Sequence, residues 1–107
     1  MGQRMLNCEF DDSGLLKNPQ NWTPELARTL ASMDGIGTLT EQHWAFIQSL
    51  RTYYDHFHVP PPAVRVCRNL HMDRDCGHRL FDTCLEAWRI AGLPDPGEEA
   101  KTYLSAE

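Results

Sequence analysis

Apolar residues recur at Leu26, Leu30 and Met33, one face of a helix that Thr23 can cap, Pro24 can open and Asp34-Gly35 can stop. Trp22, just before the cap, anchors the entry. A longer stripe of Trp44, Ile47, Leu50, Tyr54 and Phe57 follows a second capping threonine, Thr40, and carries a helix to about His58. Pro60-Pro61-Pro62 must break it, because the ring and the missing N–H forbid continuation. The last proline can serve as first residue of the next helix, which runs from Ala63 to His71. After Met72 to Asp75, a final helix starts at Cys76 or Gly77 and reaches Ala91, burying Leu80, Cys84, Leu85 and Trp88, with Gly92 as its stop. Ahead of all of these, MLNCEF and LLK flank Asp-Asp-Ser-Gly, which predicts a β-hairpin that must pack on helices to persist.

The expected fold class is mainly α: a small orthogonal helical bundle of four to five helices, an N-terminal β-hairpin and a flexible C-terminal arm. Within one domain spanning 1–107, the hairpin takes 5–17, the helical core 18–92 and the arm 93–107. A length of 107 residues with 41% hydrophobic content suits one modest core. Ten Lys and Arg against fifteen Asp and Glu give a net charge of −5, which opposes the electrostatic footprint of nucleic-acid and membrane binders and favours protein partners. With no leader-like N-terminus and no bilayer-length apolar run, the expected location is cytoplasmic. Cys8, Cys67, Cys76 and Cys84 are few and irregularly spaced, so they read as free thiols rather than as a disulfide framework.

Candidate chemistry is sparse. Cys67 and His71 share a helix face and Cys76 and His78 open the next helix, a set that could in principle hold zinc, but the spacing matches no common zinc motif. Two helices between Pro62 and Ala91 give a helix-turn-helix outline with Arg65, Arg68, Arg74, Arg79 and Arg89 nearby. Asp73, Asp75, Asp82 and Glu86 interleave with them, so the surface is mixed rather than basic. Trp44, Phe46, Tyr53, Tyr54 and Phe57 read as core, and His43, His56 and His58 as helix-terminal residues. There is no Gly-rich phosphate loop, no G-x-S-x-G elbow and no H-E-x-x-H, so an independent hydrolase or transferase is the least supported reading, and no metal or cofactor is expected.

Gly14-Leu15-Leu16-Lys17, Trp22-Thr23-Pro24-Glu25-Leu26-Ala27, Gly35-Ile36, His43-Trp44, Arg51-x-Tyr53-Tyr54, Pro62-Ala63-Val64-Arg65 and Ile90-Ala91-Gly92-Leu93-Pro94 occur in that order. Together they resemble the DsrC/TusE family, the gamma subunits of dissimilatory sulfite reductase and the related sulfur-relay proteins of tRNA thiolation. The resemblance implies a small helical protein with an N-terminal hairpin and a mobile C-terminal arm whose cysteine carries persulfide sulfur. In members serving sulfite reductase it also implies an inner cysteine two residues before the Ile-Ala-Gly-Leu-Pro motif. Counted from that motif, the inner position is Trp88 and the arm position is Glu99, so both cysteines are absent.

Persulfide carriage needs a nucleophilic thiolate, which neither an indole nor a carboxylate supplies. The expected function is a docking or regulatory paralogue without carrier chemistry and without catalytic activity of its own. Its partners would be sulfite reductase or sulfur-relay proteins, not a small-molecule substrate. Arg65, His43, Trp44, Glu98 and Tyr103 are the candidate partner or arm contacts: either Glu98 and Glu99 enter a partner's channel, or the arm's acids stay at home against Arg65 or a neighbouring arginine. Two alternatives stand beside this: an active sulfur carrier or sulfurtransferase component using Cys84, one helical turn from Trp88 (or Cys76 or Cys8), and a helix-turn-helix DNA-binding regulator.

Overall fold

The computed structural model describes residues 9–106. The first half of the expected hairpin, and Cys8 with it, lies outside the described residues. Among the described residues the expected β-hairpin is not seen: there is a tight turn in which Asp11 Oδ1 accepts the N–H groups of Ser13 and Leu15, and a single antiparallel bridge joins Phe10 to Leu16. The turn drives Leu15 and Leu16 into the core.

After a 3-10 turn at Pro19–Asn21 come α1 (Pro24–Met33), α2 (Glu41–Phe57), α3 (Ala63–Asn69), α4 (Cys76–Leu80), α5 (Cys84–Ile90) and α6 (Glu98–Ala106). The starts of α1 and α2 fall where capping chemistry places them. Thr23 Oγ1 accepts the Leu26 N–H at 3.1 Å, and Thr40 with His43 forms a reciprocal capping box. The stops at Gly35 and Gly92 are equally chemical. In each, the residue after the glycine donates back to the carbonyl five residues earlier, Ile36 to Ala31 at 2.9 Å and Leu93 to Trp88 at 3.3 Å, a geometry that needs the glycine's positive φ.

Four expectations are corrected. First, the helix expected from Cys76 to Ala91 is two helices, which with α6 raises the number of helices among the described residues to six rather than four or five. Thr83 Oγ1 accepts the Glu86 N–H at 3.2 Å and starts a new helix, while Phe81, extended at φ −134, turns inward against His43 and Phe46. The helix-turn-helix outline is thereby replaced by three short helices.

Second, the arm is not a loose tail. Residues 98–106 are helical, with Leu104 0% exposed, and α6 packs on α5. A radius of gyration of 12.9 Å is that of a compact folded chain of about this length. Third, Cys67 and Cys76 are joined in a disulfide, because α3 and α4 pack with these Cα atoms 5.8 Å apart, within bridging reach. Two members of the imagined zinc set are therefore consumed. Fourth, Met33 and Phe57 are 61% and 60% exposed, since each sits on the last turn of its helix, past the layer it packs against. Ala27 and Ala31 fill the interior instead, beside Phe46, which is buried as expected.

In the assembled core, α5 touches α1, α2, α4 and α6, so its side chains form the hub. Among the described residues no helix is long and apolar enough to cross a membrane.

Candidate functional site

The turn from Ile90 to Pro94 gathers residues that lie far apart in the chain. The Trp22 indole N–H donates to the Ile90 carbonyl at 2.8 Å, and Arg51 Nη1 donates to the Ala91 carbonyl at 2.6 Å. The Arg51 guanidinium also lies 4.0 Å from the centre of the Trp22 ring, a cation–π contact. Burial pulls the Arg51 pKa below the ordinary guanidinium value, and Asp55 works in the opposite direction. These partners take up carbonyls that the end of α5 leaves without helical donors. Gly92 has φ +73, and a Cβ there would come within 2.0 Å of Trp22 Cδ1, so both the conformation and the space demand glycine. Beside this turn, Pro19, Arg51, Thr52, Tyr54, Asp55 and Leu93 line a cleft of about 380 Å³.

Trp88, at the inner-cysteine position of the resemblance, is 0% exposed. Its indole N–H donates to the Pro94 carbonyl at 2.8 Å, and Tyr54 meets its ring edge-on at 5.4 Å between centroids. The indole thus ties the turn that launches the arm to the helix before it. Cys84, one turn earlier at the start of α5, is 0% exposed and outside the disulfide.

On the arm, Glu98 and Glu99 occupy the exposed first turn of α6, where acids suit the helix dipole. Lys101 Nζ reaches Asp95 at 2.9 Å, Ser13 Oγ at 3.0 Å and Glu98 at 3.3 Å, joining α6 to its own lead-in and to the N-terminal turn. Its hydrogen bond to Asp95 is the largest cause holding that carboxyl below its usual range, and the same bond raises the lysine. Tyr103 donates its hydroxyl to the Pro60 carbonyl at 3.3 Å.

Neither glutamate forms an ion pair with Arg65, which is exposed and instead faces the Tyr53 hydroxyl at 3.5 Å. The Arg28 guanidinium lies 5.3 Å from the centre of the Trp44 ring, bridging α1 and α2. His43 is buried: its Nδ1 accepts the Thr40 N–H at 3.0 Å, which puts the proton on Nε2, and Nε2 donates to the Leu80 carbonyl at 2.9 Å. It is a strut between α2 and the end of α4. Trp22 and Arg51 were not singled out as site residues by sequence reasoning, although both belong to its ordered motifs.

A family model described as "DsrC like protein" matches residues 4–98. The chain is 37% identical over 99 residues to the sulfurtransferase TusE of Yersinia pseudotuberculosis, covering 82% of this chain and 89% of that relative. The crystal structure of the oxidized gamma-subunit of the dissimilatory sulfite reductase (DsrC) from Archaeoglobus fulgidus superposes with a TM-score of 0.72 at 31% identity, over 85% of this chain and 90% of that one. The NMR structure of Allochromatium vinosum DsrC gives 0.68 at 33%, over 85% and 88%. Motif order and these likenesses agree: the chain belongs to the DsrC/TusE family of sulfur-relay proteins.

Proposed function

We propose that this chain is a docking or regulatory member of its family, one that binds a protein of sulfur metabolism without carrying sulfur itself. The observation that carries the reading is at the arm: Glu99 stands on the exposed first turn of α6 where the resemblance places the sulfur-bearing cysteine, and no cysteine follows Cys84 in the chain. A carboxylate presents the same face to a partner but holds no sulfane sulfur. Trp88 supports this, because a buried, hydrogen-bonded indole at the inner position leaves no second thiol for the arm to meet. Cys84, the fallback thiol, is buried in the hub helix, where its sulfur cannot reach a donor's sulfane sulfur to attack it.

Partners are inferred from what the relatives' names say: one is a subunit of dissimilatory sulfite reductase, another a sulfurtransferase. The docked protein would occupy a carrier's place on such a partner.

Protein with its Cys67–Cys76 bond intact, incubated with a small-molecule persulfide donor, is expected to show no mass increase of about 32 Da, one sulfur atom, at Cys84 by peptide mass spectrometry. An adduct that disappears in Cys84→Ser and passes to an acceptor thiol would establish carriage and sink the reading. A paired measurement addresses docking: the chain should compete with a thiol-bearing DsrC for dissimilatory sulfite reductase.

A further inference from the structure

The Cys67–Cys76 bond ties the inner face of α3 to the first residue of α4 across nine positions, with both residues wholly buried. Between them, Leu70 and Met72 pack partly buried against the core, and the rest of the segment, from His71 on, is exposed apart from Met72 and held by local bonds. Met72 N–H donates to the Cys67 carbonyl at 2.9 Å and His71 N–H to the Arg68 carbonyl at 3.0 Å. This turn places His71 at φ +60, a left-handed conformation that glycine would adopt more readily. The following residues are pinned by an exposed ion pair, Arg79 to Asp73 at 2.6 Å, of a kind that holds a loop only weakly. α4 has five residues and no side-chain cap, too short to persist by itself.

Over this segment opens a cleft of about 420 Å³ bounded by Val64, Arg68, Met72 and Arg74. Three of those four residues lie inside the loop that the disulfide closes. The same bond that anchors α4 therefore sets the shape of the cleft.

We propose that Cys67–Cys76 is a thiol–disulfide exchange site for a dithiol reductant, and that its reduction releases residues 68–75 and reshapes the cleft they wall. A thiolate of the dithiol attacks one sulfur, forming a mixed disulfide and expelling the other as a thiolate, which takes up a proton. The reductant's second thiol then displaces the mixed disulfide. Two electrons and two protons pass to the protein, one S–S bond breaks there and one forms in the reductant. Because both sulfurs are buried, attack follows a local opening of α4, so the looseness of the segment governs the rate. The proposal is independent of Trp88 and Glu99 and stands or falls apart from the docking reading.

The oxidised full chain is titrated with dithiothreitol under native conditions, trapped with iodoacetamide and mapped by peptide mass spectrometry. Amide hydrogen exchange is then followed in both forms. Cys67 and Cys76 are expected to alkylate together while Cys84 stays unmodified. Exchange across 70–80 should quicken by about tenfold or more in the reduced form, with α1 and α2 unchanged. The Cys67→Ala/Cys76→Ala double variant, with helix content checked by circular dichroism, should show the fast exchange without reductant. If that variant fails to fold, the oxidised and reduced wild-type forms decide alone. Equal exchange in the two forms, resistance to dithiothreitol until the protein is denatured, or alkylation of Cys84 in step with the pair would each overturn the proposal.

Discussion

Gly92 shows how one residue is fixed twice over. Its φ of +73 lies where a side chain is strained, and its missing Cβ is the space into which Trp22 packs. Trp22 and Arg51 need that closeness to reach the Ile90 and Ala91 carbonyls. Gly92→Ala should therefore cost about 2–4 kcal/mol, the sum of a left-handed conformation and an overpacked contact, read as a lower urea midpoint with circular dichroism confirming a folded baseline. The glycine was legible as a helix stop because that depends only on local backbone chemistry. The tryptophan lying against it was not, since the contact joins residues far apart in the chain, as does the Trp22 bond to the Ile90 carbonyl across 68 positions. His43 makes the same point. Its place near a helix start could be read from Thr40, but its second bond, to the Leu80 carbonyl, exists only because α2 and α4 meet.

Among the elements, α1 and α2 were legible in full at their N-termini, where a side chain caps its own neighbours. The break between α4 and α5 had a signal that periodicity overrode: Thr83-Cys84-Leu85-Glu86 has the spacing of a capping box, and in the structure Glu86 Oε1 accepts the Asp82 N–H at 3.1 Å. The arm likewise carried a short helical pattern, with acids at Glu98 and Glu99 and an apolar pair at Ala100 and Leu104, inside a stretch polar enough to read as tail. Leu104, fully buried, holds that element down. Leu104→Ala is expected to cost about 2–3 kcal/mol and to free α6, seen as faster amide exchange confined to residues 98–106. Unchanged protection there would mean that the Lys101 contacts, rather than packing, hold the arm.

For the whole molecule, a net charge of −5 leaves carboxylates with opposite roles in pH dependence. Burial, followed by the nearby carboxylates of Asp34 and Asp82, raises the Glu86 pKa, against the pull of the Asp82 N–H and Arg89. A folded pKa above the unfolded one means the stabilising contribution is complete below the ordinary carboxylate range and is lost as pH rises through the raised value. Glu86→Gln keeps an acceptor for the Asp82 N–H and should stabilise the protein at pH 7 by about 0.5 kcal/mol, the scale of a partly screened group, with the gain vanishing near pH 4 in urea titrations. Asp95 runs the other way. Its lowered pKa makes its contribution present above the ordinary range and lost as pH falls through the folded value, so the lead-in to α6 loosens in acid.

By itself the sequence determined the helical class, the capped starts of α1 and α2, the glycine stops, and, through motifs in order, the family. All of these rest on neighbours along the chain or on inherited pattern. Only the tertiary structure decided that the arm folds back, that Trp88 is sealed and bonded to Pro94, and that Cys67 meets Cys76. Those outcomes depend on which faces come together when apolar surface leaves water, and that is a property of the assembled helices rather than of any window of residues.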